Sequence, residues 1–128
     1  MAEVSRGAAG EILAARYLRK QGYELVEVNY RSRFGEIDII AERDEFLAFV
    51  EVKTRGEAAY YKPREAVTYS KQQKIIRTAM EYLARHPTDL QPRFDVIEVY
   101  MDGSAPLKAK HIEHIENAFD TSGKQGRI

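Results

Sequence analysis

The chain has 128 residues, 20 Lys+Arg against 20 Asp+Glu, three His and no Cys or Trp. The lack of cysteine excludes a disulfide framework, a thiolate nucleophile and any thiolate metal site. With 44% hydrophobic and 31% charged residues, it reads as a folded domain over 1–120 with a frayed tail over 121–128, without a bilayer-spanning segment or signal-peptide core, and hence as cytoplasmic with no membrane partner.

The first predicted element is a helix. Ser5 is its N-cap, Ala9, Ile12, Leu13, Ala14, Tyr17 and Leu18 recur at helical spacing, and Gly22 ends it. Tyr23 to Tyr30 alternates as a strand, and Arg31 to Gly35 reads as a turn. Glu36 to Glu42 is a strand rich in isoleucine, joined through Arg43-Asp44-Glu45 to a third strand over Phe46 to Thr54, so these two are expected to pair antiparallel. Arg55 to Pro63 is a polar loop containing Tyr60 and Tyr61. A second helix starts near Ser70, carries Ile75, Ile76, Ala79, Met80 and Leu83, and ends at Pro87. Arg93 to Tyr100 is a fourth strand, and the stretch through Ile112, Ile115 and Phe119 is expected to add a short strand and a short terminal helix. The order α-β-β-β-α-β describes a small α/β sheet with helices packed on it.

Zero net charge at first argues against a nucleic-acid partner, since such domains are usually basic. The charges are segregated, however. From Lys53 to Arg77 seven basic residues face Glu57 and Glu65, whereas from Asp89 to Asp120 seven acids face Arg93, Lys108 and Lys110. Either a local basic surface tracks phosphates, or the block is ordinary solvated charge; composition leaves both open.

The informative anomaly lies on the second and third strands, Gly35-Glu36-Ile37-Asp38-Ile39-Ile40 and Phe49-Val50-Glu51-Val52-Lys53. Alternation puts Glu36 and Asp38 on one face and Glu51 and Lys53 on one face. Acids are poor strand residues and are rarely buried unless paired or metal-bound. Mg²⁺ takes one or two carboxylates plus water and phosphate, and strands hold such ligands rigidly. A neighbouring ammonium can orient the attacking water and stabilise charge developing on phosphorus. The competing reading is a salt bridge of Asp38 or Glu51 with Lys53.

An acid on one strand followed by Glu-x-Lys on the next resembles the PD-(D/E)xK nuclease superfamily. The chain is more closely similar to the YraN family of predicted bacterial endonucleases, related to archaeal Holliday-junction resolvases. The resemblance is carried by Gly7-x-x-Gly10-Glu11, Asn29-Tyr30-Arg31, Gly35-Glu36-Ile37-Asp38-Ile39-Ile40, Phe49-Val50-Glu51-Val52-Lys53-Thr54-Arg55 and Arg93-Phe94-Asp95-Val96. The proline that names the superfamily is replaced here by Ile37.

The resemblance implies a restriction-endonuclease-like core with a central mixed sheet flanked by helices. It implies Mg²⁺ (or Mn²⁺) on Asp38 and Glu51, with Lys53 as the catalytic lysine and Glu11 as the helical glutamate that completes the site. Glu36 is a candidate outer ligand. The activity implied is hydrolysis of DNA phosphodiester bonds, at branched or irregular structures, by a homodimer. The alternative is a nucleic-acid-binding or scaffold protein that keeps the fold without efficient catalysis. Arg31, Arg33, Arg55, Lys62, Arg64, Lys71 and Lys74 are candidates for phosphate contact, each against a reading as solvated surface. Asp95 reads as structural, paired with an arginine, and His86, His111 and His114 lack zinc-ligand spacing.

Overall fold

The computed structural model describes residues 5–56, 58 and 67–122. Its elements run α1 (Arg6–Lys20), β1 (Glu24–Ser32), β2 (Gly35–Arg43), β3 (Phe46–Arg55), α2 (Tyr69–Arg85), β4 (Gln91–Met101) and β5 (Ala109–Phe119). The strands form a five-stranded mixed sheet in the order β1-β2-β3-β4-β5, with β3 and β4 parallel and the other neighbours antiparallel. Helix α1 covers one face and α2 the other, an α/β architecture compatible with a restriction-endonuclease-like core. No described helix is long and apolar enough to cross a membrane.

The two helices form where the sequence signals them. Ser5 Oγ accepts from Ala8 N at 3.1 Å, and Thr68 Oγ1 accepts from Lys71 N at 3.2 Å, so each helix has a hydroxyl cap for its orphan amides. On α1 the residues Ala9, Leu13, Ala14 and Leu18 are buried against Ile39, Ala41, Ala48, Val50, Ile97 and Val99. On α2 the residues Ile75, Ile76, Ala79 and Tyr82 pack on Ile37, Ile40, Leu47, Phe49, Phe94 and Val96. Strand β3 thus contributes alternate residues to two separate cores, and β2 does so from Ile39 on, whereas Ile37 and Ile39 enter opposite cores across Asp38.

Three expectations are corrected. Strand β1 runs on to Ser32, so the turn before β2 is tighter than Arg31 to Gly35. The C-terminal region is one strand of 11 residues, and no helix follows it among the described residues. Ile112, Ile115 and Phe119 suggest a helical period because the strand is irregular: Val96 pairs with Ile115 but Phe94 with Phe119, so the one residue between them on β4 stands opposite three on β5. Met80, expected in the core, is 62% exposed. The segment with Tyr60, Tyr61, Lys62 and Arg64, and the tail beyond residue 122, lie outside the described residues.

Strand β4 is buried along most of its length and carries a polar anchor. Asp95 accepts from Arg93 Nε at 2.9 Å and from Asn117 N at 3.0 Å, and lies 2.8 Å from His114 Nε2. Burial alone would raise its carboxyl. The hydrogen bonds from His114, Arg93 and Asn117 outweigh burial and hold it below the ordinary carboxylate range. This bears out the structural reading of Asp95.

Helix α1 sits close to the sheet because Gly10 has no side chain. A Cβ there would fall 2.9 Å from Thr54 Cβ and Cγ2, closer than carbon atoms pack. That approach sets the depth of the next residue, Glu11. Gly10→Ala should therefore lower stability by about 1–3 kcal/mol, read as a fall of several degrees in melting temperature. An unchanged melting temperature would mean that this separation is not enforced.

Candidate metal centre

The registered pairing of β2 with β3 runs from Arg43↔Phe46 to Ile39↔Val50 and stops there. Beyond it, Gly35 to Ile37 remain on β1, while Glu51 to Arg55 remain on β4. The sheet therefore forks. The fork leaves the Val52 amide without a β2 carbonyl, and Asp38 fills the gap: its Oδ2 accepts from Val52 N at 2.8 Å. Across β1, Asn29 stands between the pairs Val28↔Ile39 and Tyr30↔Ile37 with a left-handed φ of 51°, a conformation asparagine tolerates better than most residues. With its amide nitrogen turned toward the acids, the orientation that satisfies both groups, it donates to Glu11 Oε1 at 2.8 Å and to Glu36 Oε1 at 3.1 Å.

Around this fork three carboxylates converge. Glu11 from α1 and Glu36 and Asp38 from β2 each place an oxygen within 4.8 Å of the others. Glu51 is not a member of that group but stands beside it, close enough that its charge raises both Asp38 and Glu11. It is buried at the root of the β3 prong and receives Lys71 Nζ at 3.0 Å. Lys53 follows two residues later on the same face, half-buried, in register with Glu98 of β4. The donor set is all oxygen and carries excess negative charge, which fits a hard divalent cation such as Mg²⁺ or Mn²⁺. Glu11, Glu36, Asp38 and Glu51 are the residues that could hold it.

The family described as "Uncharacterised protein family UPF0102" matches residues 10–99, a span that contains every one of these acids and Lys53. The chain belongs to the UPF0102 family. Relatives bearing that name are similar over nearly their whole length. The protein of Caldanaerobacter subterraneus subsp. tengcongensis is 46% identical over 114 residues, covering 88% of this chain and 93% of the relative. That of Alkaliphilus metalliredigens is 47% identical over 116 residues, covering 90% and 97%. That of Trichlorobacter lovleyi is 50% identical over 117 residues, covering 89% of each. UPF0102 corresponds to the YraN family that the sequence resembles.

The cations of this UPF0102 chain are distributed unevenly around the acids. Arg31 Nε contacts Glu36 Oε2 at 3.1 Å from an exposed position. Lys71 lies in the first turn of α2, where a positive charge opposes the helix dipole, and Glu51 offers the compensating partner. Its hydrogen bond and attraction to Glu51 raise its pKa. Lys74 is exposed one turn further along, and Arg33 lies over the Phe34 ring at 4.8 Å. Arg55, a candidate for phosphate contact, is turned into the sheet and donates to Glu98 Oε2 at 2.6 Å. Lys62 and Arg64 lie outside the described residues.

Two polar residues near the site escaped the sequence reading. Glu98 is 0% exposed and holds Arg55 beside Lys53 on the β4 side of the fork. Its only sequence signal is a glutamate between Ile97 and Val99 in an otherwise apolar strand. Asn29 was seen only within a motif, and its link to two acids depends on a backbone turn that no pattern encodes.

Burial pushes the Asp38 carboxyl up to about 7, with Glu51, Glu11 and Glu36 adding to the rise against the Val52 hydrogen bond. Glu11 is raised as well, by burial first and then by Glu36 and Glu51, with Arg31 opposing. The folded-state pKa of Asp38 lies above its ordinary 3.8, so its stabilisation is complete below pH 3.8 and is lost as pH rises toward 7. Asp38→Asn keeps an acceptor for Val52 and removes the charge. In chelator at pH 8 it should be more stable than the wild type by on the order of 2 kcal/mol, with the gain shrinking as pH falls from 7 toward 4. A melting curve in which Asp38→Asn is destabilising at pH 8 would contradict this electrostatic picture.

Proposed function

We propose that the chain is a cytoplasmic, metal-dependent endonuclease that hydrolyses DNA phosphodiester bonds at branched or irregular structures. The observation that carries this reading is the convergence of Glu11, Glu36 and Asp38 at the fork, with Glu51 beside them and Lys53 two residues beyond. A structural ion-pair cluster would balance its charges; this one leaves Asp38 with a strongly raised pKa, among acids that outnumber their close cations. Family membership and the match of Glu11, Asp38, Glu51 and Lys53 to the nuclease pattern support the same reading.

Bound Mg²⁺ or Mn²⁺ would supply Lewis acidity toward a phosphate oxygen and lower the pKa of coordinated water. The chain's own residues do the rest. Asp38 and Glu51 fix the ligand oxygens on two strands that diverge from one registered pair, and Glu11 and Glu36 close the site from the α1 side. Asn29 helps to orient both of those glutamates, together with Arg31 on Glu36. Lys53 holds the attacking water and balances charge that develops on the phosphoryl oxygens. Lys71 and Lys74, with Arg31 and Arg33, line the approach of the phosphate backbone. A homodimer would present two such sites to a substrate with two-fold character.

The test is a cleavage panel with junction, flap, single-stranded and duplex DNA in Mg²⁺ and in Mn²⁺. Wild-type protein should cut at least one structured substrate. Lys53→Ala should reduce cleavage by 10²-fold or more, on the scale of losing one charge-stabilising group (about 3 kcal/mol). Asp38→Asn, which keeps an acceptor for the Val52 amide, should abolish cleavage while circular dichroism stays native. Equal cleavage by wild type and both variants would assign the activity to a contaminant. Salt-sensitive DNA binding with no cleavage in either metal would leave a binding protein with a nuclease fold.

A further inference from the structure

The turn between β1 and β2 leans on α2, and the two enclose a groove of about 730 Å³ lined by Arg33, Phe34, Arg77, Met80, Glu81 and Arg85. The turn is held there by side-chain bonds. Ser32 Oγ donates to Thr78 Oγ1 at 3.3 Å, Phe34 N donates to Ser32 Oγ at 3.0 Å, and Gly35 packs directly on Lys74. Gly35 is the residue before Glu36, so the turn that walls the groove leads directly into the strand that carries two of the fork's acids. Its lining is mostly cationic. Three arginines meet one acid, Glu81, and that acid is engaged by Arg85 at 3.5 Å. Its apolar members are an aromatic ring with a guanidinium stacked on it and an exposed methionine.

The groove also continues a row of cations. Lys71, Lys74, Arg77, Glu81 and Arg85 fall at spacings of three, three, four and four residues on one face of α2. At 1.5 Å per residue the row reaches about 9 Å from Lys71 to Arg77 and about 21 Å to Arg85. A stacked strand, at roughly 3.4 Å of rise per nucleotide, would cover that length with about six nucleotides, and an unstacked strand with fewer. Lys71, at its head, touches Glu51 of the proposed metal centre.

We propose that this groove is a second nucleic-acid subsite, which receives an unpaired strand leading away from the acid fork. Phosphates lie on Arg77 and Arg85, and one unstacked base rests on the Arg33–Phe34 platform with Met80 beneath its edge. Charge supplies the backbone contact, which any nucleic acid would satisfy. The platform supplies the discrimination, since only a base freed from its helix offers a face to an aromatic ring or guanidinium plane. The inference rests on the nucleic-acid reading above and narrows it, because it names a substrate with a single-stranded segment next to the scissile bond.

The experiment is fluorescence anisotropy of the full chain in chelator, with a labelled 12-nucleotide oligothymidylate and a blunt duplex of equal length, over a range of salt. The wild type should prefer the single strand. Phe34→Leu keeps apolar bulk and removes the ring; it should weaken single-strand binding about fivefold to a hundredfold, the equivalent of one stacked base, and leave duplex binding unchanged. Arg77→Ala, at an exposed position, should weaken both and reduce the salt slope by about 0.7 on the single strand. Wild-type protein that binds neither probe, or variants that bind the single strand as wild type does, would overturn the proposal. Cleavage that persists when both variants bind normally would remove the groove and keep the nuclease reading. Binding losses in both variants with no cleavage on any substrate would keep the groove and remove the nuclease.

Discussion

One hydrogen bond organises the centre of this molecule. Where the β2–β3 pairing ends, the Val52 amide would be left without a partner, and the carboxylate of Asp38 takes the place of the missing carbonyl. The bond lets two strands part while each keeps its other neighbour, and it fixes a charged oxygen at the point of divergence. A regular hairpin would have held Asp38 to the alternation of its strand. The fork lets it meet Glu11 and Glu36 on the α1 side and feel Glu51, whose lysine partner comes from α2 on the other side.

That gathering is electrostatically costly. Charges of one sign a few ångströms apart in a partly buried site repel by several kcal/mol unless they are protonated, paired or bound to a cation. Among the described residues the remedies include Arg31 on Glu36, Lys71 on Glu51, the Asn29 amide turned toward two glutamates, and a proton on Asp38 near neutral pH. The remaining cost is what a divalent cation would offset. Zero net charge over 128 residues is then a sum of unlike places: acids concentrated at the fork and inside β4, cations drawn out along α2.

Much of this was legible in the sequence because it rests on local rules. Ser5 and the Ala9–Leu18 stripe announce α1, and the β2–β3 hairpin follows from two apolar runs around a short polar turn. Glu36, Asp38, Glu51 and Lys53 stood out because charged residues are anomalous in such strands. The remainder depends on long-range geometry. No period reveals that β2 and β3 diverge after Ile39, that Asn29 adopts a positive φ, or that Lys71 reaches Glu51 rather than solvent. The irregular pairing with β4 disguised the end of β5 as a short terminal helix, and Arg55 looked available to phosphate because buried Glu98 is distant from it in sequence.

Calorimetric titration of the full chain with Mn²⁺ and Mg²⁺ at pH 8 tests whether the fork is a divalent-cation site. Saturable binding is expected, lost or weakened more than tenfold in Asp38→Asn, which keeps an acceptor for the Val52 amide. Binding of equal strength in Asp38→Asn, or no saturable binding by the wild type, would rule the fork out as that site.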